Sequence, residues 1–149
     1  MEQPRFYRHG HGSDEEHKKD QALFSQLLAQ HHEIVRETVF IKNGIKAKTT
    51  TQNPDLVSIL QAHVQGMEKR FENGRAIRSW DPLFAALFEY RDEIHMKYYP
   101  IQNGIEAILT SDNPAIIEII HCHDKTLHSF IEEGSKAGKR QSPKPDWLE

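Results

Sequence analysis

The stretch IKNGIKAKTTTQNP at residues 41–54 returns sixty residues later as IQNGIEAILTSDNP at residues 101–114. Both copies carry Ile-x-Asn-Gly-Ile, an alanine two positions further on, and a closing Asn-Pro. The agreement extends without a gap on both sides, so that Leu23–Gly74 aligns with Leu83–Gly134. Because ungapped agreement of this length is not expected by chance, it indicates a duplicated structural unit.

Each Asn-Gly separates two short runs that are rich in β-branched and aromatic residues. In the first copy these runs are Val35–Lys42 and Ile45–Thr50, and in the second copy they are His95–Gln102 and Ile105–Thr110. Two such runs around a tight turn predict a β-hairpin in each copy.

Two registers are compatible with the first hairpin. A two-residue Asn-Gly turn would place Phe40, Ile45 and Ala47 on one face of the hairpin. A three-residue loop that ends in a glycine bulge would instead group Val39 and Ile41 with Ile45 and Ala47. The second register produces the more apolar face, and we therefore favour it.

Apolar residues at helical spacing precede and follow each hairpin, which predicts four helices. Asn53-Pro54 and Asn113-Pro114 supply an N-cap and a first helical residue, and Asp81-Pro82 does the same for the helix before the second hairpin. The repeat unit is therefore helix–strand–strand–helix. We expect an α+β fold of two tandem α-β-β-α repeats with pseudo-twofold symmetry, in which the hairpins form one four-stranded antiparallel sheet packed with helices.

The limits of this pattern set the expected domain boundaries. Residues 1–20 are polar and contain glycine and histidine without an apolar period, which predicts a flexible tail. Residues 21–134 predict a single domain in which repeat 1 (21–74) and repeat 2 (81–134) share one core. Residues 135–149 are rich in Lys, Gly, Ser and Pro and predict an irregular C-terminal tail.

Composition argues against several classes of partner. Nineteen basic and 22 acidic side chains produce a formal net charge of −3, with no basic block, so we expect no nucleic-acid binding. No apolar run approaches the roughly 20 residues of a membrane helix, so we expect no membrane association. The compartment stays open: the protein is periplasmic or exported if a signal peptide has been removed, and cytoplasmic otherwise. The single cysteine, Cys122, does not distinguish these compartments.

A matched pair of histidines, His63 and His123, falls inside the apolar stripe of the last helix of each repeat. His63 and Met67 are four residues apart and share one face of their helix, and the pseudo-twofold would bring His123 towards the same axis. Imidazole and thioether groups suit copper or haem iron, and histidines also suit zinc. We therefore predict a non-enzymatic metal- or haem-binding module with His63, His123 and Met67 as ligands and Met96 as an additional soft ligand.

The alternative is a structural or protein-interaction domain without a cofactor. In that case each buried histidine makes a hydrogen bond that fixes its helix, and Met67 fills space as Leu127 does in the second copy. Such a domain docks a partner protein or forms a homodimer. An enzyme is the less favoured class, because the sequence lacks CxxC, HExxH, GxGxxG, P-loop and GxSxG motifs.

Several motifs together resemble a known group of proteins. These are the Asn-Gly-Ile hairpins, the Ser-Asp-Asn-Pro that ends at Pro114, the linker RSWDPLF at residues 78–84, and His63-x-x-x-Met67. The combination is similar to a widespread group of uncharacterised bacterial proteins, often exported, that carry the same duplicated helix–hairpin–helix unit over about residues 20–135. The resemblance implies the period of the fold and a removable signal peptide, and it implies no catalytic residues.

Overall fold

The computed structural model describes residues 14–74, 78 and 80–148. The elements of the described chain follow the predicted order, with short 3-10 turns before the first and third strands. They are α1 (Asp14–Ala29), β1 (Ile34–Ile41), β2 (Gly44–Thr51), α2 (Pro54–Asn73), α3 (Pro82–Glu89), β3 (His95–Ile101), β4 (Gly104–Thr110), α4 (Pro114–Glu133) and α5 (Ser135–Gly138).

The four strands form one antiparallel sheet in the order β1-β2-β4-β3, so the two hairpins join through β2 and β4. Ala47 lies opposite its repeat equivalent Ala107, and Gly44 and Gly104 lie at symmetric positions on either side of this pair. A pseudo-twofold axis therefore crosses the sheet at Ala47 and Ala107. This arrangement confirms the predicted α+β fold with two tandem repeats.

The register of the first hairpin differs from the one that we favoured. Phe40 pairs with Ile45, and Ile41 pairs with Gly44, which leaves a two-residue turn between the strands. The turn consists of Lys42 and Asn43, not of Asn43 and Gly44, so neither predicted turn is formed. Phe40 shares a face with Ile45, as the two-residue alternative predicted, whereas Val39 and Ile41 lie on the opposite face. The prediction of a three-residue loop with a glycine bulge was wrong because Gly44 belongs to the strand and not to the turn.

Gly44 and Gly104 allow strands β2 and β4 to approach each other closely where the two repeats meet. A Cβ atom at Gly44 would overlap the carbonyl oxygen of Leu109, and one at Gly104 would overlap the carbonyl oxygen of Thr49. Neither glycine has a positive φ, so the close approach of β2 and β4 requires them. The Asn of each Asn-Gly pair thus belongs to the turn of its hairpin, and the Gly belongs to the junction between the hairpins.

The helices cover one face of the sheet, and the last helix of each repeat packs on the hairpin of the other repeat. Helix α2 of repeat 1 packs mainly on β3 and β4, and helix α4 of repeat 2 packs on β1 and β2. Gln61 on α2, for example, donates hydrogen bonds to the carbonyl oxygens of Ile101 (3.0 Å) and Gly104 (2.8 Å). Each repeat therefore completes the core of the other.

Both ends of the described chain are more ordered than expected. Helix α1 begins at Asp14, before the predicted start at Gln21, and Asp20 pairs with Nε of Arg70 at 2.6 Å. The flexible tail was predicted for residues 1–20, of which residues 1–13 lie outside the described residues. At the other end, Ser142 donates from its Oγ to the buried carboxylate of Asp81 at 2.6 Å, because a buried carboxylate requires hydrogen-bond partners.

Within the described residues, no helix is both long enough and apolar enough to span a bilayer.

Candidate functional site

A cavity of about 380 Å³ lies between the inner face of the sheet and helices α1 to α4. Its volume falls in the range of small-molecule pockets, roughly 300–1,000 Å³. All four residues that the sequence predicted as ligands line this cavity, namely His63, Met67, Met96 and His123. The structure therefore brings the predicted set to one place, and most of the remaining wall consists of aliphatic and aromatic side chains.

The two histidines occupy equivalent positions in the repeats, and each contacts the equivalent phenylalanine with a different ring geometry. His63 on α2 stacks on Phe24, with ring centroids 5.6 Å apart and an interplanar angle of 17°. His123 on α4 meets Phe84, the repeat equivalent of Phe24, edge to face at 5.5 Å. The duplication has therefore built one histidine–phenylalanine contact on each side of the cavity.

The ring nitrogens of His63 and His123 differ in their surroundings. Protein atoms enclose both Nδ1 atoms, and neither has a hydrogen-bond partner among the described residues. The Nε2 atoms also make no hydrogen bond within the described chain, and they are not enclosed. Because both rings line the cavity, we assign these Nε2 atoms to its surface. The hydrogen bonds that the packing alternative predicted for these histidines are therefore not formed within the part of the chain that the structure describes.

Burial lowers the pKa of both His63 and His123 to about 4, from the ordinary value of 6.5. Both rings are therefore neutral at pH 7 and carry one N–H each. A proton on Nδ1 would be an enclosed donor without an acceptor, whereas a proton on Nε2 faces the cavity. The surroundings thus favour the Nε2–H tautomer, and each ring offers one donor to the cavity.

This tautomer bears on the predicted metal site. A histidine that binds a metal through Nε2 normally donates its Nδ1 proton to a carboxylate, a carbonyl or water. Neither His63 nor His123 has such an acceptor within the described residues. Among those residues there is also no group of three or more His, Cys, Asp and Glu side chains arranged to hold a metal ion.

A buried ion pair forms one wall of the cavity. Arg36 on β1 donates to Oδ1 of Asp124 from Nε (3.0 Å) and Nη2 (2.8 Å), and from Nη1 to Thr49 (3.1 Å). Thr38 donates to the same carboxylate oxygen at 2.7 Å. Arg36 lines the cavity and Asp124 does not, so the positive partner of the pair faces the cavity.

The repeat equivalent of this wall is uncharged. Met96 stands at the position equivalent to Arg36, and Val64 stands at the position equivalent to Asp124. The hydroxyl of Tyr98 lies 3.2 Å from Sδ of Met96, and burial raises the pKa of Tyr98 to about 12. The second hairpin therefore lines the cavity with Met96 and Tyr98, whereas the first hairpin presents Arg36. Helices α1 and α2 add the ion pair between Asp20 and Arg70 to the lining near His63.

The segment between the repeats also contributes to the cavity. Arg78, at a positive φ of 48°, lines the cavity and lies 4.5 Å above the Trp80 ring. Its Nη2 donates to Asp81 at 3.0 Å and its Nη1 donates to the carbonyl oxygen of Gly138 at 2.7 Å. The sequence marks this segment only as a polar and aromatic cluster, and its place at the cavity follows from the packing of the C-terminal segment.

Fold and cavity together define an α+β protein with a duplicated helix–hairpin–helix unit and an internal cavity that carries a matched pair of histidines. Comparison with protein-family models, with curated proteins and with solved structures finds no match for the chain.

Proposed function

We propose that the protein is a non-enzymatic binding module that holds a small organic ligand in the cavity. One observation carries this proposal: the Nε2 atoms of His63 and His123 open into an apolar cavity of about 380 Å³ without a partner among the described residues. Packed interiors contain few voids larger than a water molecule. A ligand with suitable acceptors supplies the partners that these accessible Nε2 atoms lack within the described chain.

The chemistry of the available groups supports binding over catalysis. Both histidines are poor proton acceptors near neutral pH, because burial lowers the pKa of each to about 4. The Cys122 thiol is buried outside the cavity wall, and burial raises its pKa. We therefore assign to the protein the role of a carrier, store or sensor of its ligand.

A haem or copper module, with zinc as a third option, is the second candidate. The observation that favours it is the placement of His63, His123, Met67 and Met96 around one cavity. The lack of an acceptor for either Nδ1 atom among the described residues favours an organic ligand instead.

The prediction of a homodimer or a docking domain stays a prediction. Exposed apolar side chains on the open face of the sheet, such as Val39 and Tyr99, would form the contact surface for the partner or the second copy.

The test combines native mass spectrometry and elemental analysis on protein purified without chelators. The proposal predicts a bound organic mass, or uptake of the neutral probe octan-1-ol, and loss of either in the double variant His63→Leu/His123→Leu. The exposed His95, replaced by Leu, serves as the control that retains binding. One equivalent of iron or copper that disappears in the double variant would favour the second candidate, and protein that takes up neither probe nor metal would contradict both.

A further inference from the structure

We infer that the ligand of this cavity is an amphipathic organic acid whose carboxylate faces His123 and Arg36 and whose apolar body lies against Met67 and Met96. This inference rests on the proposed function and names the chemical class of the ligand. The two histidines are repeat equivalents, so they do not distinguish one end of the cavity from the other. The inference follows from the difference between the wall at Arg36 and the wall at Met96.

The charges on the wall favour an anion. Three arginines line the cavity, Arg36, Arg70 and Arg78. Arg70 is paired with Asp20, which among the described residues is the one lining carboxylate. Asp124 and Asp81, which pair with Arg36 and Arg78, lie behind the wall and do not line it. At Arg36 and Arg78 a ligand thus meets a guanidinium group whose carboxylate partner lies behind it, which favours a carboxylate head group over an ammonium group there.

The donors at the Arg36 wall match a carboxylate in number. Arg36 has five N–H groups and directs three of them to Asp124 and Thr49, which leaves two without a partner in the described chain. His123 lies close enough to Arg36 for the guanidinium charge to lower the pKa of His123, and it adds its Nε2–H. A carboxylate accepts several hydrogen bonds, so it can take all three of these donors.

The opposite wall suits a hydrocarbon body. Met67 and Met96 line it, and their flexible thioethers adapt to ligands of irregular shape. Val64 stands at the repeat position of Asp124, and Glu68, the repeat equivalent of His128, is not among the lining residues. The charged groups near this wall, Asp20 and Arg70, are paired with each other at 2.6 Å. A volume of about 380 Å³ limits the body to a short chain or a small ring system.

The test compares three ligands with the same body and different head groups: octanoate, octan-1-ol and octylamine. Their affinities for the full chain are measured at pH 7 by isothermal titration calorimetry. We expect octanoate to bind about tenfold more tightly than octan-1-ol, which corresponds to one charge-assisted hydrogen bond, and octylamine to bind most weakly.

The two histidines provide a matched pair of variants within one cavity. His123→Leu should remove the preference for octanoate over octan-1-ol, whereas His63→Leu should retain it, because the guanidinium of Arg36 acts on His123 and the carboxylate of Asp20 acts on His63. His123→Gln, which keeps an N–H near the position of Nε2, should retain the preference as well and serves if the Leu variant fails to fold. Circular dichroism of each variant reports whether the fold is intact.

The outcomes separate this inference from the proposed function. Equal binding of octanoate and octan-1-ol, or an equal loss of preference in His63→Leu and His123→Leu, would overturn the inference and leave the proposed function standing. Binding of none of the three ligands would overturn the proposed function itself.

Discussion

At the scale of single residues, the equivalence of His63 and His123 was visible in the sequence, and their surroundings were not. Helical spacing placed both on an apolar stripe, which the structure bears out in their contacts with Phe24 and Phe84. Which ring nitrogen is enclosed depends on atoms from distant elements, so no spacing rule could predict it. The same applies to Arg36, whose partner Asp124 lies 88 residues away.

The depressed pKa values of the two histidines predict a pH-dependent stability. The pKa is 6.5 in the unfolded chain and about 4 in the folded protein, so the unfolded state binds more protons within this window. The stability is fully present above pH 6.5 and falls as the pH decreases towards 4. We expect a loss of about 2 kcal/mol per histidine between pH 7 and pH 5.

Urea unfolding at the two pH values measures this loss. Each of the variants His63→Leu and His123→Leu should reduce the pH dependence, and the exposed-residue control His95→Leu should keep it. A stability that does not change between pH 7 and pH 5 would contradict the burial of the two rings as neutral donors.

At the scale of elements, capping residues were predictable because their chemistry is local. Asn53 accepts from the backbone N–H of Asp55 at 3.0 Å, and Asp81 accepts from that of Leu83 at 3.1 Å, as the Asn-Pro and Asp-Pro pairs indicated. The hairpin register was not predictable, because Gly44 satisfies a contact with β4 that no local pattern contains.

Because Arg36 and Asp124 form a buried ion pair, we expect a single substitution in this pair to lower the stability more than a double substitution. Asp124→Ala leaves a buried guanidinium without its carboxylate and should destabilise the protein by about 3–5 kcal/mol. The double variant Arg36→Met/Asp124→Val copies Met96 and Val64 of the other wall, and it should lie within about 1 kcal/mol of the parent. Chemical unfolding of the three proteins side by side decides the point, and a double variant as unstable as Asp124→Ala would contradict it.

Substitution of Gly44 tests the junction between the hairpins. Gly44→Ala introduces a Cβ atom against the Leu109 carbonyl oxygen, which cannot move away without disturbing β4. We expect a loss of about 1–3 kcal/mol, as for other overpacked sites. At Gly138 an added Cβ meets only a side-chain atom of Leu28 at 3.3 Å, so Gly138→Ala should cost less. Equal stabilities of the two variants, measured by thermal unfolding, would argue against this role of Gly44.

At the scale of the whole molecule, the duplication was predictable and the exchange of hairpins between the repeats was not. The repeated sequence predicts the same order of elements in both halves. It does not predict which hairpin each helix packs on, because the two hairpins present similar surfaces to the helices. The cavity is a product of this exchange, because its wall takes side chains from α2 on one hairpin and from α4 on the other. No single repeat contains it.

The exchange predicts that the two repeats unfold together. Since α2 packs on the second hairpin and α4 on the first, neither repeat keeps a core when the other unfolds. We expect circular dichroism, which reports the helices, and the fluorescence of Trp80 and Trp147 to show one coincident urea transition. Two separate transitions would show that the repeats are independent, in conflict with the shared core.

The central claim, that His63 and His123 offer Nε2–H donors to a ligand inside the cavity, is tested most directly by NMR of histidine side chains labelled with nitrogen-15. The account predicts that both rings are Nε2–H tautomers at pH 7, and that octanoate or octan-1-ol shifts their resonances while those of the exposed His32 and His95 stay in place. Nδ1–H tautomers, or rings whose resonances neither ligand moves, would contradict it.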